Sequence, residues 1–190
     1  MSAKHIGVPR RLANAARLAD RCRVIALWRH VLAIVLLPVT VTILVPIWLA
    51  RRFSVLVAFP DSFFDSMGVA VGLALITLGV SLFVDCLRRF AREGQGTLAP
   101  WDPPRALVVS GPYRYVRNPM ITGVVAVVLG EAFFLRSLPH FAWALFFGGF
   151  NFAYIPFVEE PALRRRFGDV YERYCQNVPR FVPLEAPWKG

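Results

Sequence analysis

The chain has 190 residues, is 56% hydrophobic with a mean hydropathy of +0.51, and carries a formal net charge of +10. A water-soluble domain of this length would need more polar surface than that. The 22 Lys and Arg residues fall in blocks between long apolar runs, which is the pattern of positive-inside membrane topology and of attraction to anionic headgroups, not of a nucleic-acid-binding face.

Residues 1–30 hold seven basic side chains (Lys4, Arg10, Arg11, Arg17, Arg21, Arg23, Arg29) against one acid, Asp20. After Pro9 the placement of Leu12, Ala15, Ala16, Ala19 and Ala26 fits a loosely amphipathic helix lying on the membrane surface; a solvated basic arm is the alternative. Residues 31–50 contain no charge. At about 1.5 Å per residue they cover the roughly 30 Å hydrocarbon thickness, with Pro38 and Pro46 as expected kinks and Arg51 and Arg52 as the end. The basic stretch before this run is longer than a signal-peptide n-region, and no A-x-A site is evident. A short link with Pro60, Asp61 and Asp65 leads to a second span, 67–84, with Asp85, Arg88 and Arg89 at its exit.

From about Arg88 to Pro119 the chain is rich in Pro, Gly and Arg, which argues against a continuous helix there. Long ordered loops of this kind more often carry function than architecture. Residues 121–135 form a short third apolar run carrying Glu131. Arg136-Ser137-Leu138-Pro139 reads as a tight turn, and 138–158 as a fourth run, so the third and fourth helices should pair as an antiparallel hairpin. After Glu159 and Glu160 a cytoplasmic helix is expected to open at Pro161 and run to about Asn177, before a Pro-rich end. The expected fold is therefore all-α, a multi-pass bundle of about four spans. With the N-terminus inside, 19 basic residues lie on the inner side and 3 on the outer, an asymmetry that places both termini in the cytoplasm.

Cys22, Cys86 and Cys175 are scattered, and with His5, His30 and His140 they make no metal-ligand cluster; three free thiols in a reducing compartment is the reading. No P-loop and no strand–GxGxxG–helix unit is present, and Gly94-Gln95-Gly96 reads as a linker. Three features could carry chemistry. Tyr113, Arg114, Tyr115, Arg117 and Asn118 precede the third helix, where backbone amides and Arg117 suit an anionic group, or where they simply line the headgroup belt. Glu159 and Glu160 close the fourth run. They either sit at the N-terminus of the next helix for its dipole or pair with a ligand cation such as an ammonium or sulfonium. Arg164, Arg165 and Arg166 come next, as lipid anchors or with one turned back toward the acids.

Residues 111–123 (GPYRYVRNPMITG) and 158–183 (VEEPALRRRFGDVYERYCQNVPRFVP) together resemble the isoprenylcysteine carboxyl methyltransferase and phospholipid methyltransferase family, and TLAPWDPPRALVVS before them resembles its bacterial members. The likeness covers about residues 94–183. It implies an integral membrane methyltransferase that takes the methyl group of S-adenosylmethionine without a Rossmann domain. The acceptor would be lipophilic: an isoprenylcysteine-like carboxylate, a phospholipid amine or another small lipid. By position, Leu107 and Val108 would flank the adenosine, and Tyr113 with Asn118, Pro119, Met120 and Ile121 would wrap the cofactor. Glu159, with Glu160, would hold the methionine ammonium, while Arg117 and Arg166 would orient a carboxylate of cofactor or acceptor as the catalytic pair. The family usually has His at the place of Asn118 and Tyr at that of Ile121. Its eukaryotic prenylcysteine enzymes have a basic residue where Tyr154-Ile155-Pro156-Phe157 stands.

The division implied is a basic amphipathic segment (1–30), a first transmembrane pair (31–86) and a methyltransferase-like catalytic region (87–190), in a bacterial inner membrane. The partners implied are membrane lipids and a lipophilic or lipidated substrate, with no nucleic acid. Two rivals share the pattern: an NADPH-dependent membrane reductase of related fold, and a membrane module that has lost catalysis.

Overall fold

A computed structural model of the chain describes residues 35–56, 59–93 and 106–189; the basic segment 1–30 and the TLAPWDPPR part of the loop lie outside them. Among the described residues every regular element is helical, in five continuous runs and one short 3₁₀ turn. The first run begins as a π-helix, Val35–Leu44, and passes without a break into α1, Val45–Arg52. The prolines expected to kink this run are absorbed by the wider π register. Pro46 has no N–H to give to the Val41 carbonyl five residues back, and the Trp143 indole N–H donates there instead, at 3.1 Å. The Pro46 carbonyl accepts a bond from His140 Nε2 at 3.1 Å, which fixes the proton on that nitrogen, so that Nδ1 accepts from the Ser137 hydroxyl. A neighbouring helix thus satisfies backbone groups that proline leaves unpaired in an apolar medium.

The second run, α2 (Phe63–Glu93), is capped by Ser62, whose hydroxyl accepts the Asp65 amide N–H at 3.1 Å and donates to the Asp65 carboxylate at 2.7 Å, a capping-box arrangement. The helix is longer than the expected 67–84 span and runs well past Arg88, where irregular chain was expected. Residues 85–93 hold no Gly or Pro, and Asp85 pairs with Arg89 one turn on at 3.0 Å, so nothing stops the helix before Gly94. Among the described residues, Phe63–Phe90, with a mean hydropathy of 2.3, is one of two helical stretches long and apolar enough to cross a membrane; the other is Leu138–Phe167. The shorter apolar helix α3, Pro119–Leu135, lies antiparallel on α2.

Two glycines seven residues apart on each helix set that packing. The backbone at Gly72 meets that of Gly130, and Gly79 meets Gly123; a Cβ on Gly72 would lie 2.7 Å from the Gly130 carbonyl oxygen, and one on Gly79 2.6 Å from that of Gly123. Small residues at matched positions are how membrane helices approach closely when water supplies no driving force. The α3 helix closes on Arg136 in the left-handed conformation (φ 50°), its N–H returning to the carbonyls of Ala132 and Phe133, and α4 (Leu138–Tyr154) starts two residues later. This is the expected tight hairpin. Arg136 reaches Asp65 at 3.2 Å and ties the turn to the start of α2.

The expected break at Pro161 is not seen. A π-helical stretch, Ile155–Glu159, carries α4 directly into α5 (Glu160–Phe167), with the Glu160 N–H bonded to the Ile155 carbonyl five residues back. Here too a π register accommodates prolines, Pro156 and Pro161. The tail helix is split instead at Gly168 (φ 54°), after which α6 runs from Asp169 to Asn177.

The glycine seam gives a direct test. Gly130→Ala is expected to destabilise the protein by about 2 kcal/mol, read as a lowered thermal unfolding midpoint in detergent. Gly149→Ala, where nothing lies within 4 Å of the added methyl, should leave the midpoint unchanged. Equal behaviour of the two variants would refute the seam.

Candidate active site

The loop beyond α2 is anchored to that helix's last turn. The Ser110 hydroxyl donates to Glu93 at 2.7 Å, and Gly111 takes a positive φ of 52° against the Arg89 guanidinium, which a Cβ would overlap. Only glycine suits both demands. A 3₁₀ turn, Gly111–Arg114, then leads through Tyr115–Asn118 into α3. The chain after α6 comes back along this loop as a strap. Arg117 N–H donates to the Pro179 carbonyl at 2.9 Å, Leu184 N–H to that of Tyr115 at 2.9 Å, and Trp188 N–H to that of Arg114 at 3.0 Å; the Arg114 side chain also bonds the Trp188 carbonyl. From α6, the Tyr174 hydroxyl donates to the Tyr113 carbonyl at 2.6 Å. Under the strap lie Tyr171, Tyr174 and Val178, packed with Leu107, Val109 and Trp188.

At the junction of loop, π-helical stretch and strap sits Glu160, 1% exposed. Its Oε1 meets Arg117 Nη1 at 3.1 Å and Arg180 Nε at 2.6 Å, and its Oε2 accepts from Arg180 Nη2 at 2.8 Å. Arg180 therefore forks across both oxygens while Arg117 shares one. A buried carboxylate needs such compensation. Arg117 also reaches Cys175 Sγ at 2.9 Å through the same Nη1, and its side chain is 10% exposed with the Nε–H buried and without a partner among the described residues. The next residue, Asn118, likewise buries an unpartnered Nδ2. Glu159 is half-buried, and among the described residues no hydrogen bond or ion pair reaches its carboxylate. Burial pushes the Tyr113 phenol well above its ordinary range, and the phenol also feels Cys86 and the charge of Glu159; it stays neutral at physiological pH.

The two adjacent acids thus have separate situations. The π-helical stretch inserts a residue into the helical turn, rotating the chain beyond it by about 100°, and only Glu160 turns into the arginines.

Asn118 and Ile121 line a cavity of about 230 Å³ between α3 and α4, with Val125, Gly148, Asn151 and Phe152, closed at one end by Phe181 of the strap. A second cavity of about 380 Å³, lined by apolar residues, adjoins it, sharing Val125, Gly148 and Phe152 and reaching Leu129, Ala144 and Leu145. Phe181 stacks on Phe152 with ring centroids 4.9 Å apart. Gly148 and Gly149 keep the α4 side of the groove shallow.

Of the residues picked out in the sequence, Arg117 and Glu160 are in contact, Tyr113 is close enough to feel the charge of Glu159, and Asn118 and Ile121 share the cavity wall. Pro119 is buried and Met120 half-buried on the first turn of α3. Val108 is buried, and Leu107 packs on the tyrosine cluster. Arg166 is exposed on α5, with its guanidinium 5.7 Å from the Phe167 ring centroid. Arg180 and Phe181 are not singled out by the sequence. They lie at the end of the 158–183 segment that carries the resemblance, but as an arginine and an aromatic between prolines they read by themselves as an irregular end.

A helical site with a carboxylate and buried N–H donors that meet no partner among the described residues suits a small ligand that is cationic at one point and anionic at another. The chain matches the family model of phospholipid methyltransferases over residues 67–170, and it belongs to that family. It is accordingly an integral membrane, S-adenosylmethionine-dependent methyltransferase, and membership points to methylation of a phospholipid or lipid-like acceptor. No curated protein and no solved structure gives a significant match.

The environments of the two acids predict opposite mutational effects. Glu160→Gln breaks a buried ionic cluster and is expected to cost about 3 kcal/mol, a fall of roughly 10 °C in unfolding midpoint for a chain of this size. Glu159→Gln should move the midpoint little. The reverse order would overturn the division of roles.

Proposed function

We propose that the chain methylates a lipophilic acceptor at a site formed where the Gly111–Asn118 loop, the Glu159–Glu160 pair and the C-terminal strap meet. The observation that carries this reading is the 3.1 Å contact of Arg117 with Glu160, which joins segments far apart in sequence, while the carboxylate of Glu159, its neighbour in the chain, meets no partner among the described residues. Bound S-adenosylmethionine supplies a methyl group on a cationic sulfonium. Glu159 offers the carboxylate for the methionine ammonium, and Glu160 serves by holding Arg117 rather than by meeting the ligand. Arg117 Nε–H and Asn118 Nδ2 are the donors for carboxylate or ribose oxygens, since both are buried without partners among the described residues. Tyr113, Pro119, Met120 and Ile121 supply the wall, with Leu107 and Val108 behind them at the adenosine side. Arg166, exposed on α5, is suited to an anionic group of the acceptor.

The acceptor's chain would lie in the groove between α3 and α4. Its lining is apolar, and the exposed side chains of Leu145 and Phe152 at its edge open it toward lipid. Asn118 and Asn151 are its polar end, so a lipid entering sideways would bring its headgroup toward Glu159 and Arg117. Alignment of acceptor and methyl group, and exclusion of water by Phe181 and Phe152, are then the chain's main contributions to rate. A four-span arrangement, with residues 31–50 as the first span and 87–190 as the catalytic region, would have this site at the cytoplasmic face of a bacterial inner membrane, with both termini inside. The basic asymmetry supports that orientation. Family membership disfavours a reductase, and buried donors without partners among the described residues favour a binding site over an inactive module.

Purified protein in lipid nanodiscs is expected to bind S-adenosylhomocysteine with micromolar affinity on the order typical for cofactor sites, and Glu159→Ala should abolish binding while insertion and folding persist. Unchanged affinity in that variant would remove Glu159 from the site. Gly148→Phe, which fills the groove, should raise the KM for phosphatidylethanolamine or another lipid acceptor about tenfold or more with cofactor affinity intact. Equal loss of both would place the groove elsewhere.

A further inference from the structure

The strap lies beyond residue 170, where the family match ends, yet it sends Arg180 into the centre of the site. We propose that Arg180 is a positioning residue: by occupying both oxygens of Glu160 it keeps that carboxylate on Arg117 Nη1 alone, and so leaves the opposite edge of the guanidinium, Nε–H with Nη2, open to a carboxylate on the ligand. This rests on the proposed role of Arg117 as a partner of the methionine carboxylate.

The argument is one of competing partners. A carboxylate facing an arginine alone settles into a two-point fork, because parallel N–H···O bonds between planar groups are the most favourable arrangement. Glu160 does this with Arg180, through Nε at 2.6 Å and Nη2 at 2.8 Å, and gives Arg117 only a single contact at 3.1 Å. Arg117 is left with a buried Nε–H that the described residues do not satisfy. Such a donor is costly in a folded protein unless something else bonds to it. Take Arg180 away, and Glu160, 1% exposed, has one buried cation left; from Nη1 it then forks across Nη1 and Nη2, and the two-point edge that a ligand carboxylate would use is broken. The charge changes in the same sense. Two arginines and one glutamate carry a net +1, which attracts an anionic group, whereas Arg117 with Glu160 alone carry none.

Arg117 is fixed for this task by its backbone as well as by its side chain. Its own N–H is bonded to the Pro179 carbonyl, the residue before Arg180, so the strap sets both ends of the relationship. Phe181, next along, stacks on Phe152 at the cavity. Three successive strap residues therefore touch the loop, the buried acid and the groove in turn, a role for the tail that the motifs of the loop and the paired acids do not contain.

The test compares two ligands by calorimetry on protein in nanodiscs: S-adenosylhomocysteine and S-adenosyl-3-thiopropylamine, the same molecule without its carboxylate. The wild type is expected to prefer the first by about tenfold or more, the value of a charge-assisted bond to a buried donor. In Arg180→Gln the preference should fall to near one, with affinity for the decarboxylated ligand little changed. Glu160→Gln/Arg180→Gln removes the competing acid as well and restores the net +1, so the preference should return. Arg180→Lys keeps a cation that cannot fork across both oxygens; it should give an intermediate preference, and it decides the question if Arg180→Gln does not fold.

A merely structural role for Arg180 would weaken both ligands equally with the preference intact, and that overturns the proposal. So does a wild type that binds both ligands equally well. Failure of the wild type to bind either ligand is a different result: it rejects the placement of the cofactor, and the role of Arg180 falls with it.

Discussion

The site depends on a single buried carboxylate. Glu160 is enclosed almost completely, and an ionised acid in that setting persists only with full compensation. The compensation comes from Arg117, at the end of the loop before α3, and Arg180, in the strap after α6. Glu160 itself opens α5. Three segments from separate parts of the chain are thus drawn together by one charge, and each of them brings something else with it: the loop brings Tyr113 and Asn118, the helix brings Glu159, and the strap brings Phe181. Substituting well-packed apolar residues for such a cluster can leave a protein as stable or more so. The cluster is therefore better understood as setting geometry than as a source of stability.

That convergence requires a platform which does not drift, and the glycine seam supplies it. Gly72 against Gly130 and Gly79 against Gly123 hold α2 and α3 at backbone contact in a fixed antiparallel register. The register aligns the far ends of the two helices: at one end Asp65 meets Arg136 at the hairpin turn, and at the other the last turn of α2 carries Arg89 and Glu93 to the start of the loop. The loop is consequently held against α2 before it enters α3. With the loop fixed at both ends, Arg117 arrives at the same place regardless of how the intervening proline-rich residues run.

Much of this is legible in the sequence, and the parts that are not share a cause. Apolar runs broken by Arg and Pro locate the hairpin and the start of α3, because hydrophobic length and turn chemistry are local properties. The pairing of Arg117 with the acids can be anticipated because the hairpin brings its two ends back to one side of the membrane. The extension of α2 to Glu93 escapes notice because the arginines there resemble the loop beyond; the absence of Gly and Pro before Gly94 is the better guide. The glycine seam needs two helices to be matched in register, which periodicity within either one does not reveal. The π-helical stretch at Ile155–Glu159 is hidden because Pro156 and Pro161 ordinarily end a helix, and whether they widen one instead is settled by tertiary packing. Arg180 is the hardest to foresee, being a lone cation in an irregular tail whose partner is 20 residues earlier.

The two neighbouring glutamates show how far residue identity can mislead without the fold around it. Read as a pair, they are a single acidic patch whose charges repel. In the folded protein the π turn directs them differently, and Glu160 is neutralised by two arginines while Glu159 meets no cation among the described residues. Neutralising Glu160 leaves Glu159 as the acid of the pair that meets no cation among the described residues, and in the proposed reading it is this one that faces the ligand's ammonium. The buried ion cluster therefore sorts two identical side chains, fixing one in the fold and leaving the other open.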